Sequence, residues 1–342
     1  MNKRENKNTF RVIILFVVLM AVISVFIVVY FTQQTRQLAL DTEPGEGYEH
    51  HYAYICDDRS DNMYNAIYEE AVNASRGSGD YIEFMGKNLT EDYDSEELLK
   101  IAVYAGMDGI IFQADESQKT KELINWADSM GVPVITMGRD NATSLRKSFV
   151  GFAYYELGKT FGEQILKNDT GKEAEVLVLT SPDSKNTSQN ITFQGIVDTL
   201  NKAEVLDRIT LKNLAVSDTS AFEAEETISS LIRGSELPDI MVALSEVNTT
   251  CVCQALVDYN RVGDVRVYGF YSNDTILSSV EKNIITATVT VDTKQMGRYC
   301  VEALSEYDAY GYVNEYMPAD IYVINSGNVM DYTASGGEEE IE

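Results

Sequence analysis

Two charged residues follow an apolar stretch within residues 133–142, PVITMGRDNA. Residues 134–137 have the composition of a buried strand, and Arg139 and Asp140 come soon after it. Charged side chains are seldom buried without a partner, so this pair has to face solvent, another charge or a ligand. An arginine offers a rigid, planar set of donors that can hold two oxygens of one ligand. The stretch therefore predicts a polar binding site at the end of a strand.

Polar side chains also follow several other apolar stretches of strand length. They are Asp57, Asp58 and Asp61, then Gln113, then Ser245 and Glu246, and then Tyr271, Ser272 and Asn273. In open parallel α/β sheets, ligands bind at the carboxyl ends of the strands. Most strand ends carry polar loop residues, so each position taken alone is more typical of a solvated loop than of a ligand contact.

The chain contains no recognisable catalytic motif. It has no G-x-S-x-G, H-E-x-x-H, P-loop or G-x-G-x-x-G sequence, and its two histidines are adjacent. The four cysteines are Cys56, Cys251, Cys253 and Cys300. They form no C-x-x-C pair, and we expect them to be small buried side chains. The sequence therefore offers no catalytic constellation, and we expect no metal site and no cofactor.

The elements that must position these residues alternate regularly along the chain. Short apolar stretches alternate with amphipathic stretches of helix length from residue 52 to residue 324. This alternation predicts an α/β fold in which doubly wound parallel sheets carry helices on both faces. The net charge of −27 argues against a nucleic-acid partner, because phosphate binding requires lysine and arginine side chains.

A long apolar segment lies close to the N-terminus. Residues 12–31 contain no charged side chain, and Lys3, Arg4, Lys7 and Arg11 precede them. A helix of about 20 residues spans a bilayer core of about 30 Å, and the positive charges place the N-terminus in the cytoplasm. The alternative is a cleaved signal peptide, whose apolar region is shorter and ends at a small-residue site. The length of the segment and the lack of such a site favour an uncleaved membrane anchor.

Several short stretches, in their order and spacing, resemble one known family. They are AGMDGIIFQ (105–113), MGVPVITMGRD (130–140), SFVGFAYYELGK (148–159), LPDIMVALSE (237–246), VRVYGF (265–270) and ITATVTVDTKQMGRYCVEAL (285–304). From residue 52 to residue 329 the chain resembles the type I periplasmic-binding-protein family, and within it the monosaccharide-binding branch typified by ribose- and galactose-binding proteins. This resemblance implies two α/β lobes that are joined by a hinge of three chain crossings and close around a ligand.

The resemblance also implies a set of ligand contacts. In the family an arginine after the fourth strand holds sugar hydroxyls, and here that residue is Arg139, with Asp140 beside it. Other contacts come from the loop after the first strand, from the region of the fifth helix and from the ends of the eighth and ninth strands. The candidate ligand-binding residues are Asp58, Asp61, Asn62, Tyr64, Arg139, Asp140, Asn190, Ser245, Glu246 and Tyr271.

The chain departs from the family at several of these positions. An acid normally precedes the arginine, where this chain has Gly138, and Tyr271 replaces the usual aspartate after the ninth strand. The hinge position that is often glutamine is Val291 here. The resemblance therefore implies the fold more firmly than the sugar pocket. A pyranose ligand still fits, because tyrosines can stack on its faces while carboxylates and amides bind its hydroxyls.

The predicted domain organisation follows from the anchor and the two lobes. The segments are a cytoplasmic N-terminus (1–11), a transmembrane helix (12–31), a linker (32–48), an N-terminal lobe (49–152 with 292–318), a C-terminal lobe (153–291 with 319–329) and a disordered acidic tail (330–342). The hinge is expected near residues 152–154, 291–293 and 318–321. With this orientation, the main domain lies outside the cytoplasm.

The sequence thus predicts a membrane-anchored extracytoplasmic protein that binds a small polar solute, with a monosaccharide as the first candidate. Two partners fit this role: an ABC permease that receives the solute, or a membrane histidine kinase for which the protein senses a ligand, including a non-sugar one. The sequence also leaves open an enzyme on a related scaffold and a structural module with an inactive pocket. The lactose-repressor family shares the fold, but the apolar N-terminal segment and the acidic charge disfavour a repressor.

Overall fold

The computed structural model describes residues 48–89, 91, 93–182, 187–217 and 220–333. The chain divides into two compact units, residues 1–48 and 49–342, and the fold described below is that of the second unit. The predicted membrane span 12–31 and all but the last residue of the predicted linker lie outside the described residues. Within the described ranges, no helix is long and apolar enough to cross a membrane.

The first of two sheets contains six strands. Its strands are β1 (His51–Ile55), β2 (Tyr81–Phe84), β3 (Gly109–Phe112), β4 (Val134–Met137), β5 (Ser148–Gly151) and β11 (Tyr316–Pro318). Their order across the sheet is β11-β5-β4-β3-β1-β2, and every neighbouring pair is parallel. The carboxyl ends of β1, β3 and β4 therefore lie side by side at one edge.

The second sheet also contains six strands. They are β6 (Ala174–Thr180), β7 (Ile209–Ala215), β8 (Ile240–Ala243), β9 (Arg266–Phe270), β10 (Ala287–Val291) and β12 (Ile321–Asn325). Their order is β12-β10-β9-β8-β6-β7, and only the β10–β12 pair is antiparallel. Strands β3, β4, β8 and β10 are buried at every position, as is usual where helices cover both faces of a sheet.

Helices connect the strands. They are α1 (Asn62–Ser75), α2 (Ser95–Ala105), α3 (Gln118–Ser129), α4 (Tyr154–Lys167), α5 (Thr187–Lys202), α6 (Ala221–Arg233), α7 (Glu246–Asp258), α8 (Asp274–Glu281), α9 (Thr293–Tyr310) and α10 (Val329–Thr333). Side chains that accept backbone N–H bonds begin several of them, including Asp61 for α1, Ser245 for α7 and Asn273 for α8. Such caps satisfy donors that the first turn of a helix leaves unpaired.

The chain passes between the two sheets at three places. It leaves the first sheet after β5 and enters α4, returns from β10 through Asp292 into α9, and passes from β11 directly to β12. We use the name N-lobe for the first sheet with α1–α3 and α9, and C-lobe for the second sheet with α4–α8 and α10. Helix α9 packs against α1, β4 and β5, which assigns it to the N-lobe.

The two-lobed α/β architecture predicted from the sequence is confirmed. Strand β11 is not predictable from apolar alternation, because its three residues include an exposed tyrosine and a terminal proline. The assignment of residues 330–333 to a disordered tail is wrong, since they continue helix α10, which packs against α8. Residues 334–342 lie outside the described part of the chain.

Candidate functional site

Arg139 lies where β4 ends, and its guanidinium forms an ion pair with the carboxylate of Asp57 at the end of β1. Gln113, which follows β3 between them, accepts a hydrogen bond from the backbone N–H of Asp57 at 2.8 Å. Both charged side chains remain partly exposed, at 38% for Arg139 and 46% for Asp57. The charged end of this core strand therefore meets an opposite charge and solvent at the carboxyl edge of the N-lobe sheet.

Gly138 has a positive φ of 67°, which favours glycine, and its surroundings explain why no acid precedes Arg139. A Cβ at this position would collide with the hydroxyl and ring of Tyr64, which is 5% exposed. The backbone N–H of Gly138 donates to the carbonyl of Val150 at 2.9 Å and extends the β4–β5 pairing. The phenol of Tyr64 thus fills the volume that the side chain of an acid would need.

Two tyrosines border the Arg139–Asp57 pair. The hydroxyl of Tyr154, at the start of α4, donates to the carbonyl of Gly138 at 2.7 Å. Burial raises the pKa of both Tyr64 and Tyr154, so both phenols stay protonated near neutral pH. Burial opposes the charge on Arg139, but the charge of Asp57 and its hydrogen bond to the guanidinium favour it, and the pKa of Arg139 is raised. Its Nε is buried and has no hydrogen-bond partner among the described residues.

Asp140 has a different environment from its neighbour Arg139. Its carboxylate accepts hydrogen bonds from Arg146 Nε at 2.5 Å and Nη2 at 2.8 Å, and from the hydroxyl of Thr136 at 2.6 Å. Arg146 also donates to the carbonyl of Glu315 beside β11. The geometry therefore ties Asp140 into the N-lobe framework, and its role as a ligand contact stays a prediction.

The acidic residues after β1 are engaged by nearby backbone and side-chain groups. Asp58 accepts hydrogen bonds from the backbone N–H and the hydroxyl of Ser60, at 2.8 and 2.6 Å. Asp61 accepts from the backbone N–H groups of Met63 and Tyr64 and so caps α1. Burial is the main reason that the pKa of Asp61 is raised, and the nearby charge of Glu246 adds to the effect. Both carboxylates shape the loop that presents Tyr64.

The predicted contacts from the C-lobe bond largely to protein groups. Ser245 caps α7 by accepting from the N–H of Asn248 at 3.2 Å. Glu246 accepts hydrogen bonds from the side-chain amides of Asn62 and Asn273, each at 2.6 Å. Asn62 belongs to the N-lobe, so the structure brings the predicted residues Asn62 and Glu246 into direct contact with each other.

Tyr271 and Asn190 complete the predicted set. Tyr271 follows β9 and is 7% exposed, and its ring packs within the apolar core of the C-lobe. Burial raises the pKa of its phenol, and its φ of 78° lies in a region that bulky residues seldom adopt. Asn190 lies exposed on α5. Neither residue has a contact with Arg139 that would place it in the same site.

A cavity of about 270 Å³ adjoins the ion pair at the carboxyl edge of β1 and β3. Its lining residues are Asp57, Asp94, Ser95, Glu96, Phe112, Gln113, Asp115, Lys119 and Thr120. Within the described ranges, no group of three or more His, Cys, Asp or Glu side chains converges as a metal site. The acidic side chains of the lining offer acceptor oxygens, and the ammonium of Lys119 pairs with Glu96 across it.

Sequence reasoning left three important residues out of the predicted ligand set. Asp57 comes directly after Cys56 at the end of β1 and holds Arg139, Tyr154 opens the helix after the first crossing, and Asn273 holds Glu246. A strand-end signal existed for Asp57 and Asn273. The position of Tyr154 after an apolar strand gave no hint that its hydroxyl reaches back to Gly138.

Residues 52–309 match the family described as periplasmic binding protein domain. The chain belongs to this family. This periplasmic binding protein has two lobes with three connections between them, and its candidate site lies at the strand ends of the N-lobe, next to Tyr154 of α4.

Solved structures share the fold of this periplasmic binding protein. GanP, a glucose-galactose binding protein from Geobacillus stearothermophilus, is 21% identical with a TM-score of 0.71, over 83% of this chain and 99% of that chain. A solute binding protein from Burkholderia graminis in complex with D-arabinose is 17% identical with a TM-score of 0.75, over 84% of this chain and 99% of that chain. A chain of the XylFII-LytSN complex is 21% identical with a TM-score of 0.71, over 82% of this chain and 99% of that chain. The comparison with curated proteins gave no match.

Proposed function

We propose that this protein is an extracytoplasmic solute-binding protein that holds a monosaccharide or a similar small polar molecule between its lobes. The observation that supports this proposal most strongly is the Arg139–Asp57 pair bordered by the phenols of Tyr64 and Tyr154. The arginine supplies donors, the aspartate supplies acceptors, and the tyrosines supply hydroxyls and aromatic faces. This combination suits a polyhydroxylated ring.

The comparisons agree with a sugar as the ligand class. The structurally similar proteins include one that binds glucose and galactose and one solved with D-arabinose. The site differs from an acid-rich sugar site, because Gly138 and Tyr271 stand where the family resemblance leads one to expect acids. We therefore propose a ligand that depends on Arg139 and Asp57 for its polar contacts, with a non-sugar polar ligand as the alternative.

The partner follows from the anchor proposed for residues 12–31. A permanently anchored binding protein can deliver its solute to an ABC permease, or it can report ligand binding to a membrane-bound sensor kinase. A protein of similar fold, XylFII, was solved in a complex with LytSN, and we propose a sensory role with a protein partner as the second candidate function. A pull-down of the full-length protein from membranes, with and without ligand, separates the two roles by the class of protein recovered.

A thermal-shift screen of the full-length protein tests the proposed function. D-Glucose, D-galactose and D-arabinose are the first probes, with an uncharged polyol such as mannitol as the control. A ligand that binds only the native state raises stability by RT ln(1 + [L]/Kd), so a concentration equal to 100 Kd adds about 2.7 kcal/mol. A concentration-dependent rise with one monosaccharide supports the proposal. If no monosaccharide raises the melting temperature but a charged or peptide-like solute does, the ligand is not a sugar and the proposed ligand class is wrong.

The proposed anchor has its own test. Mass spectrometry of membrane-extracted protein is expected to recover peptides from residues 1–11, because residues 12–31 are proposed to remain uncleaved. A mature N-terminus between residues 32 and 47 would instead identify a cleaved signal peptide.

A further inference from the structure

The cavity of about 270 Å³ beside the Arg139–Asp57 pair has a lining in which acids outnumber bases. Its charged side chains are Asp57, Asp94, Glu96, Asp115 and Lys119. We call this space the acidic cavity. It is much larger than the volume of about 30 Å³ that one water molecule occupies in the liquid, so it can hold a chemical group of a ligand.

The carboxylate of Asp115 is charged and keeps room for a further hydrogen bond. It accepts the backbone N–H of Ser117 at 3.1 Å through Oδ1. Burial disfavours its charged form, but hydrogen bonds from Thr120 and Ser117 and the charge of Arg139 outweigh burial, and the pKa of Asp115 is lowered. A carboxylate can accept about four hydrogen bonds, so Asp115 can also accept from a ligand.

The cations near the acidic cavity are already paired. Lys119 pairs with Glu96, and Arg139 pairs with Asp57. Asp94 caps α2 by accepting a backbone N–H at 2.7 Å, and this bond brings no positive charge to its carboxylate. The lining therefore carries more negative than positive charge, and an excess of this sign attracts a cationic group.

A buried amide in the lining requires a second feature of the ligand. Gln113 is 8% exposed, and its oxygen accepts the backbone N–H of Asp57 at 2.8 Å, which fixes the orientation of the amide. Its amide nitrogen has no hydrogen-bond partner among the described residues. Helix capping and ion pairing account for acids at this edge of the sheet, but they do not account for this donor. An oxygen atom inside the cavity is the acceptor that the nitrogen requires.

We propose that the acidic cavity is a subsite for an ammonium group of the bound solute, and that the solute is an amino sugar. The carboxylates bind the ammonium, and the amide nitrogen of Gln113 donates to a hydroxyl oxygen of the same ring. The inference rests on the proposed function, because Asp57 both lines the cavity and pairs with Arg139, so one solute can contact both. An uncharged monosaccharide can bind at Arg139, but it leaves the negative charge of the cavity uncompensated.

The experiment compares sugars that differ only in the amino group. The full-length protein is titrated calorimetrically at pH 6, where an amine is protonated, with D-glucose, D-glucosamine and N-acetyl-D-glucosamine. D-Galactose and D-galactosamine repeat the comparison in a second configuration. In one configuration or both, we expect the amino sugar to bind at least about tenfold more tightly than the parent sugar, because hydrogen bonds between charged groups are among the stronger ones. The N-acetyl sugar keeps the nitrogen without its charge and should lose this advantage.

Two variants locate the ammonium within the acidic cavity. Asp94→Asn and Asp115→Asn each remove one negative charge and keep an oxygen that can accept the same backbone N–H, so the melting temperature should stay close to that of the parent. Each should weaken the binding of the amino sugar about five- to tenfold and leave the affinity for the uncharged sugar unchanged. Glu226→Gln on α6 removes one negative charge from an exposed position of the C-lobe and serves as the matched control, with neither affinity changed.

The possible outcomes separate the subsite from the proposed function. Equal affinities for the uncharged and the amino sugar in both configurations would overturn the subsite and leave the proposed function intact. A preference for the amino sugar that Asp94→Asn and Asp115→Asn leave unchanged would also overturn the subsite, because the ammonium would then bind elsewhere. If none of these sugars binds, the proposed function is wrong and the subsite is wrong with it. A preference that falls in both variants but not in Glu226→Gln supports the subsite.

Discussion

Arg139 on the N-lobe and Glu246 on the C-lobe differ in how their polar atoms are satisfied. On the N-lobe, Arg139 retains a buried Nε without a protein partner, and its ion pair with Asp57 is open to solvent. On the C-lobe, Ser245 caps a helix and Glu246 accepts two amide hydrogen bonds. A buried donor without a partner costs free energy that a ligand can recover, whereas a satisfied group gains little from a ligand. We therefore expect a ligand to gain more from a contact with Arg139 than from one with Glu246.

The largest effect on stability is expected from Asp140, the neighbour of Arg139. Asp140→Ala leaves the guanidinium of Arg146, only 7% exposed, without its carboxylate. Breaking such a buried pair should lower the free energy of unfolding by about 3 kcal/mol in chemical denaturation. Ligand affinity should change little once the protein is folded. An unchanged stability with a large loss of affinity would place Asp140 in the ligand site instead.

A smaller loss of stability is expected for Gly138→Ala, because both the positive φ of Gly138 and the ring of Tyr64 oppose a Cβ at this position. Together the two effects should lower the free energy of unfolding by about 2 kcal/mol. Gly131→Ala is the matched control, since Gly131 has a φ of 82° and open space around a Cβ. Chemical denaturation should show a larger loss for Gly138→Ala, and adding Tyr64→Phe should recover part of it. Equal losses at the two glycines would argue against the contact with Tyr64.

The sequence allowed the fold to be predicted more fully than the site. Apolar periodicity and helix ends are local signals, and they sufficed for the alternating strands and helices of both lobes. Strand-end position is also a local signal, and it made Arg139 and Glu246 candidate ligand contacts. Whether a strand-end side chain faces a ligand depends on distant partners. Nothing in the sequence near Glu246 shows that its carboxylate accepts a hydrogen bond from Asn62, 184 residues earlier.

The smallest expected effect lies at the amino edge of the N-lobe sheet. His50 donates to or accepts from the buried Asp80 at 2.8 Å, and this hydrogen bond is the main reason that its pKa is raised, with the charges of Asp308 and Asp108 adding to it. The bond stabilises the fold below the usual pKa of 6.5, and this contribution is lost as pH rises through the folded-state pKa. It should amount to less than about 1 kcal/mol, because the pair is partly exposed.

Melting curves between pH 5 and pH 9 check this dependence. His50→Gln is expected to reduce the fall in melting temperature above pH 6.5. Ligand affinity should stay unchanged, because His50 lies at the opposite edge of the sheet from Arg139. If the melting temperature falls with pH equally in the parent protein and in His50→Gln, groups other than His50 cause the pH dependence.

Calorimetric titration of Arg139 variants tests the role of Arg139 in ligand binding most directly. The full-length protein is titrated with the monosaccharide that stabilises it most, and Arg139→Ala and Arg139→Lys are compared with Arg208→Ala, whose arginine pairs with Asp169 on the C-lobe. Loss of a charged donor costs about 1.5–3 kcal/mol, so both Arg139 variants should bind at least about tenfold more weakly, while the melting temperature without ligand stays nearly unchanged. Arg208→Ala should bind as the parent does. Parent affinity in Arg139→Ala would contradict the account, because Arg139 would then not hold the ligand.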